Sequence, residues 1–402
     1  MSASILYHAY GIKGVQYKST LFQKNSITYV TEMAHQKIAC PKCGCSNTCF
    51  KGQKKRTFKM IPIGRKESLL EVLLHRVECA ECKYRWWPRL SFMKGKSRMT
   101  PSFKTHVLDL LQFSTLQDVS RFVKVSWNVI KGIHKEKLRK IYKKIDLKDL
   151  EYITIDEFSI RKGHSYMTVF TDLKSGRIIH AVEGRKMGDI APFLKKLSLE
   201  APNLKAISMD MSQCYYPAAQ EFLPHVDVVF DHFHITALLN KAVDEVRKNQ
   251  QEVLNQETGS KSLKGERFLF LRNYESLGSD HRARLETLLG ANEPLFLAHS
   301  LKEQFRLFWQ KDSREEAYEF FNFWVIDMFA TGLEPLIKVA WTLNRYLDGM
   351  LNYFKHRITN AAAEGINNKI KTMKRQAYGF RDMEYFKLRL YHLHQSRYSF
   401  VG

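Results

Sequence analysis

Residues 152–185 read YITIDEFSIRKGHSYMTVFTDLKSGRIIHAVEGR, and their alternation decides the fold. β-Branched and aromatic residues recur at every second position in the runs YITIDEFSIR, HSYMTVFTDL and GRIIHAVEGR, the period of a half-buried strand. Lys162-Gly163-His164 and Lys174-Ser175-Gly176 supply turn residues between them, so the stretch predicts a three-strand antiparallel meander. Downstream, residues 188–200 predict a helix, LKAISMD a strand ending at Asp210, residues 216–222 a helix, and VDVVFDHFH a further strand.

A meander followed by alternating α and β units is the element order of an RNase H-like mixed α/β sheet. In that order Asp156 lies within the first strand and Asp210 ends the fourth, and this fold sets those strands side by side. Their carboxylates could then share metal ions. Phosphodiester cleavage needs an activated nucleophile and a stabilised leaving oxygen, which two carboxylate-bridged magnesium ions provide. Asp172 and Asp231 also end predicted strands, so periodicity alone does not choose the acids. Asp231-His232-Phe233-His234 reads either as a second metal cluster or as hydrogen-bonded structural groups. Residues 248–345 lose the strand pattern and predict a helical insertion, with Ser313-Arg314-Glu315-Glu316 as a capping box. Beyond it, TNAAAEGINNKIKTMKR (359–375) sets Asn360, Glu364, Asn367, Lys371 and Arg375 on one helical face. Ala362, Ile366, Ile370 and Met373 fall on another.

Six of the seven cysteines lie between Cys40 and Cys82. Cys40-Pro-Lys-Cys43 and Cys79-Ala-Glu-Cys82 suit one tetrahedral zinc, with RTFKMIPI and SLLEVLLHRVEC as the strands of a ribbon between them. A β-hairpin arm explains the long separation of the pairs. Redox or buried free thiols are the bland alternative, and Cys45 or Cys49 could replace Cys43. From residue 99 to 140 apolar residues recur at helical spacing, with Ser114 and Ser126 positioned as N-caps. This predicts a helix-turn-helix whose third helix turns Trp127, Asn128 and Lys131 outward, although Phe122-Val123-Lys124-Val125 lacks the common turn glycine. A plain three-helix packing module fits the same spacing.

The 402 residues carry 64 Lys plus Arg against 41 Asp plus Glu, a net charge of +23 that favours a polyanionic partner. No apolar run reaches the length of a membrane span and no charged leader precedes an apolar stretch. A cytoplasmic, nucleoid-associated chain with reduced cysteines and no membrane partner is expected.

The segments ITIDEFSIRKGHSYMTVFTDLKSGRIIHAVEGR, ISMDMSQCYYPAAQEFLPHVDVVFDHFHI and TNAAAEGINNKIKTMKRQAYGFRDMEYFKLRL resemble the DDE transposases of bacterial insertion sequences, of the ISL-three type with a zinc-binding N-terminus. The resemblance runs over nearly the whole chain. It implies catalytic acids at Asp156, Asp210 and Glu364 holding two Mg²⁺ (or Mn²⁺) ions per active site, and one structural Zn²⁺ at Cys40, Cys43, Cys79 and Cys82. It further implies binding of double-stranded DNA, both terminal inverted repeats and target, with cleavage followed by strand transfer. Lys369, Lys371, Lys374 and Arg375 are then expected on backbone phosphates, and a homodimer or higher oligomer on DNA. The expected division is a zinc-ribbon domain at 1–98, a helix-turn-helix at 99–147, a catalytic core at 148–247 and 346–402, and the insertion at 248–345. Competing readings are a catalytically silent DNA-binding regulator and a metal-dependent nuclease that never joins strands.

Overall fold

A computed structural model describes residues 5–34, 38–93, 95, 97–161, 165–359 and 361–394, the side chains of 361–363 excepted. The expected turn at Lys162-Gly163-His164, Asn360 and the side chain of Ala362 lie outside the described residues. Two compact units divide the chain between Lys143 and Lys144.

In the first unit a short α1 (Ile5–His8) precedes β1 (Val15–Phe22), β2 (Ser26–Met33), β3 (Thr48–Ile63), β4 (Lys66–Cys79) and β5 (Arg85–Trp86). They form one sheet in the order β1-β2-β4-β3, with β5 paired to β4. The β3–β4 hairpin runs in antiparallel register from Ile63↔Lys66 to Thr48↔Cys79, which is why the two cysteine pairs stand so far apart in sequence. Alternation along β4 and over residues 58–60 of β3 puts Phe58, Met60, Leu70 and Val72 wholly inside.

Three helices follow: α2 (Pro101–Leu110), α3 (Leu116–Val123) and α4 (Trp127–Ile141). They pack around Phe103, Val107, Val119, Val123, Ile130 and Ile133. The cap of α3 falls one residue after the expected Ser114, on Thr115, whose hydroxyl accepts the Asp118 N–H. Ser126 does occupy the cap position of α4, but its side chain makes no capping bond. The missing turn glycine is replaced by Lys124, which closes α3 in the left-handed region at φ 52°, ψ 48°.

The second unit opens with the meander β6 (Tyr152–Arg161), β7 (Ser165–Asp172) and β8 (Ile178–Glu183). Then come α5 (Met187–Glu200), β9 (Ala206–Met209), α6 (Tyr215–Phe222) and β10 (Asp227–Phe230). The sheet order is β10-β9-β6-β7-β8, with β10, β9 and β6 parallel and the meander antiparallel. This is the RNase H-like sheet. The chain continues from β10 directly into α7 (His232–Thr258), then α8 (Arg267–Leu271), α9 (Ser279–Gly290), α10 (Glu293–Phe305), α11 (Arg314–Ala330), α12 (Glu334–Arg345) and α13 (Leu347–His356). It ends in α14 (Ala361–Gln376) and α15 (Met383–Tyr391). Among the described residues no helix is long and apolar enough to cross a membrane.

Each face of the sheet has its own core. Ile153, Ile155, Phe170 and Ile207 join the cluster that includes α5, α6, α7 and the later helices. Phe158, Met167, Val169 and Ile178 meet Ile366, Ile370 and Met373 of α14. Helix α13 closes on β10 because residue 349 is glycine: a Cβ there would lie 2.2 Å from the Phe230 ring. Asn352 Nδ2 then reaches the Val228 carbonyl at 3.0 Å.

Candidate active site

Parallel pairing brings the acids together. Thr154 stands opposite Ser208 on β6 and β9, and Met209 opposite Phe230 on β9 and β10. Continued by their own step, the two ladders bring Asp156, in the middle of β6, level with Asp210 and Asp231, which directly follow the carboxyl ends of β9 and β10. The Asp231 N–H donates to the Met209 carbonyl at 3.0 Å, which extends the ladder to this row. Carboxyl ends of parallel strands are where open α/β sheets bind ligands, since the backbone there stops consuming its own polar groups.

The electrostatics of this row are unfavourable without a cation. Burial holds the Asp156 carboxyl above its usual range, against the Glu157 N–H and the Asn367 amide, which favour the charged form. Burial likewise raises Asp210; His234 opposes the rise, while the charges of Glu157 and Asp156 add to it. Asp210 Oδ1 is a buried acceptor with no hydrogen-bond partner. Neighbouring carboxylates with an orphaned oxygen are donors of the kind a hard divalent cation takes, but Asp156, Asp210 and Glu364 do not close to within 4.8 Å of one another as the cysteines do.

Sequence reasoning left Asp231 and His234 undecided between metal cluster and structure. Asp231 caps α7 through Phe233 N–H, and His234 Nε2 lies 3.8 Å from Asp231 Oδ2. Histidine 234 thus faces the row of acids, one turn along the helix that the capping aspartate starts. The signal that could have found it was the Asp-x-x-His spacing immediately after a strand. Asp172, the other strand-end acid, is consumed by its turn: it accepts from the N–H groups of Lys174 and Ser175 and from the Ser175 hydroxyl.

Glu364 lies in the first turn of α14 and is exposed. Three residues later on the same face, Asn367 Nδ2 donates to Asp156 Oδ2. Burial of Ile366, Ile370 and Met373 presses the helix onto the sheet. At roughly 1.5–3 kcal/mol for each fully buried large apolar side chain, this docking outweighs any single polar contact of the helix. It is Asn367, for which the sequence suggested no partner, that touches Asp156. Lys369, Lys371 and Arg375 are exposed. Lys374, also expected on a backbone phosphate, has an ammonium that donates to the Ser159 carbonyl and lies 5.5 Å from the centre of the Phe158 ring. Burial lowers its pKa.

The cysteine quartet is compact. Cys40 Sγ is 3.5 Å from Cys82 Sγ and Cys43 Sγ 3.5 Å from Cys79 Sγ, and all four sulfurs lie within 4.8 Å of one another. Thiolates at about 2.3 Å from a tetrahedral zinc stand roughly 3.8 Å apart, so the donors fit the ion. The Cys82 N–H, against burial, and then the Glu81 N–H bring the Cys79 thiol down to about 7. Cys45 instead accepts the Asn47 N–H, and Cys49 is exposed on β3. Among the described residues this quartet is the one group of three or more such ligands that closes to that distance. On α4, Trp127 and Asn128 are exposed, and the Lys131 ammonium stands 5.3 Å from the Trp127 ring centre.

The family pattern of the ISL3-type DDE transposases, described as Transposase, matches residues 153–390. The transposase for insertion sequence element IS1001 of Bordetella parapertussis is 31% identical over 387 residues, covering 96% of this chain and 95% of that protein. The transposase for insertion sequence element IS1557 of Mycobacterium tuberculosis is 24% identical over 371 residues, covering 85% of this chain and 82% of that protein. The matched region holds the whole sheet from Ile153 and the helix that bears Glu364. The match over residues 153–390 and the 31% identity over 96% of the chain make the chain a member of the ISL3 type of DDE transposases.

Proposed function

We propose that this transposase binds the terminal inverted repeats of its own insertion sequence, cleaves the element ends and joins them to target DNA at the row formed by Asp156 and Asp210, with Glu364 as the third acid. The observation that carries the reading is the orphaned, buried Asp210 Oδ1 beside an Asp156 whose charged form is also penalised. Divalent ions held by Asp156, Asp210 and Glu364 would supply an activated nucleophile and a stabilised leaving oxygen. Asn367 orients Asp156 by binding one of its oxygens. The exposed Lys369, Lys371 and Arg375 hold backbone phosphates as the scissile bond settles on the acids. Water attack frees a 3′ hydroxyl, and that hydroxyl attacks a target phosphodiester with no change in bond count. Cys40, Cys43, Cys79 and Cys82 hold a structural zinc, and Trp127, Asn128 and Lys131 meet the DNA groove from α4.

The test uses full-length protein, Mg²⁺ and a labelled terminal-repeat duplex with a target plasmid. Asp156→Asn, Asp210→Asn and Glu364→Gln should each abolish nicking and joining while repeat binding persists. Nicking without joining by the unaltered protein would make it a nuclease, and substantial nicking by one variant would remove that residue from the acids.

A further inference from the structure

Glu157 follows Asp156 on β6 and is a further carboxylate of the same neighbourhood, yet both its oxygens are engaged. Arg185 Nη1 donates to Oε1 at 3.2 Å, and the Tyr215 hydroxyl donates to Oε2 at 3.0 Å. Tyr215 is 1% exposed, and its hydroxyl lies 3.0 Å from the equally buried Thr168 Oγ1. Such a carboxylate is poorly placed to ligate a cation. It serves to hold the arginine.

Arg185 is also held by an aromatic ring and by the backbone corner that precedes it. It follows β8, which runs parallel to β6 because two antiparallel pairings separate them, so it emerges at the sheet edge where the acids lie. Its guanidinium carbon sits 4.2 Å from the Tyr166 ring centre. The preceding Gly184 has φ +105°, and a Cβ there would fall 2.1 Å from Asp189 Oδ2, so glycine is required at this corner. Both backbone groups of Gly184 are used: its N–H donates to the Tyr166 carbonyl, and its carbonyl accepts the Thr168 hydroxyl at 2.7 Å. The Arg185 side chain nevertheless remains 49% exposed, with N–H groups left over for an outside acceptor. A planar fork held at this fixed angle matches the oxygens of a phosphodiester.

We propose that Arg185 seats a DNA backbone phosphate next to the scissile bond, aimed by Glu157 and Tyr215 as positioning residues. The proposal rests on the reading that DNA is cleaved at this row of acids. Without a fixed cation here, Asp156, Glu157, Asp210 and Asp231 would repel the approaching backbone.

The experiment measures binding of full-length protein to a terminal-repeat duplex across salt concentrations in Ca²⁺, and single-turnover nicking in Mg²⁺. Arg185→Gln should flatten the log–log salt dependence by about 0.9, the value for one phosphate on duplex DNA. It should also slow nicking on the order of tenfold to a hundredfold, since a misplaced backbone costs that much. Arg185→Lys should restore the salt slope but not the rate. Tyr215→Phe should keep the slope, because the charge remains, and slow nicking. Glu157→Gln provides the same release without touching the buried ring. Unchanged slope and rate in Arg185→Gln would overturn the proposal, as would a Lys variant with full activity. The binding arm needs no chemistry: if the unaltered protein fails to nick, the reading of the acids falls, and the salt slope alone still decides Arg185.

Discussion

Replacing Asp210 by asparagine should stabilise the metal-free protein and reverse that ranking once Mg²⁺ is added. The reason lies in the row of acids: burial and the charges of Glu157 and Asp156 disfavour the Asp210 carboxylate, and His234 with a backbone N–H opposes them without offsetting them. A carboxyl whose folded pKa is raised binds its proton more tightly folded than unfolded. Stability therefore falls as pH rises from the ordinary aspartate value, 3.8, through the raised one, and the whole penalty remains at neutral pH. Asparagine removes it. Stabilising single substitutions commonly yield about 0.5–2 kcal/mol, and relief of this charge conflict is expected in that range. At about 2–4 °C per kcal/mol for a unit of this size, the melting temperature should rise by about 1–8 °C. With Mg²⁺ at a hundred times its dissociation constant, the unaltered protein gains about 2.7 kcal/mol, or roughly 5–11 °C. The variant, one ligand short, should gain far less. Scanning calorimetry in chelator and then in Mg²⁺ at pH 7.5 reads both halves, and repeating the chelator scan near pH 4 should shrink the difference. A variant that melts below the unaltered protein in chelator, or an equal Mg²⁺ gain for both, would refute the reasoning.

Other perturbations test other parts of the chain. Cys79→Ala with Cys82→Ala should release one zinc per chain by metal analysis, and retained zinc would bring Cys45 or Cys49 into the site. Asn128→Ala or Lys131→Ala should lower the preference for the terminal repeat over random duplex, because base contacts alone carry sequence; an unchanged ratio in a competition assay would make α2 to α4 a packing module. Lys124→Gly should raise the melting temperature by a degree or more, since glycine relieves the left-handed cap at φ 52°, which costs an L-residue roughly 1–2 kcal/mol, against glycine's smaller entropic cost. Gly349→Ala should destabilise despite gaining about 1 kcal/mol in helix propensity, because crowding the Phe230 ring costs about 1–3 kcal/mol; thermal melts give the sign.

The sheet was legible because its signal is local. Alternation along YITIDEFSIR, HSYMTVFTDL and GRIIHAVEGR writes the inward face of each strand directly into the chain, and the turn chemistry between them forces antiparallel pairing. The ribbon hairpin was legible for the same reason. Capping was less so: Ser114 and Thr115 offer the same hydroxyl to the backbone, and it is Thr115 whose hydroxyl accepts the Asp118 N–H. The glycine missing from the helix-turn-helix misleads because αL is disfavoured for lysine, not forbidden. Its cost is met by the packing of Val119, Val123 and Ile130 on either side of the turn.

Contacts between side chains far apart in sequence had no such local signature, and they decide the site. The family resemblance put Lys374 among the cations expected on backbone phosphates. Yet a four-carbon stem lets its ammonium fold back over Phe158 to the Ser159 carbonyl, a choice made by the sheet beneath rather than by the helix. Asn367 is drawn to Asp156 because α14 must bury Ile366 and Ile370, and that rotation carries the amide inward. Asp231 shows the same dependence on register. As a strand-end aspartate it reads as a cap, and it is one, but parallel pairing through Met209 and Phe230 also sets it level with Asp210. A residue can therefore cap a helix with one oxygen and load the row of acids with its charge. The two roles make opposite demands: the cap is kept by asparagine, whereas the charge is not. Asp231→Asn should thus leave the melting temperature within the few tenths of a kcal/mol that separate the two caps, while shifting the Mg²⁺ dependence of nicking. If nicking keeps its Mg²⁺ dependence, Asp231 is a cap and nothing more.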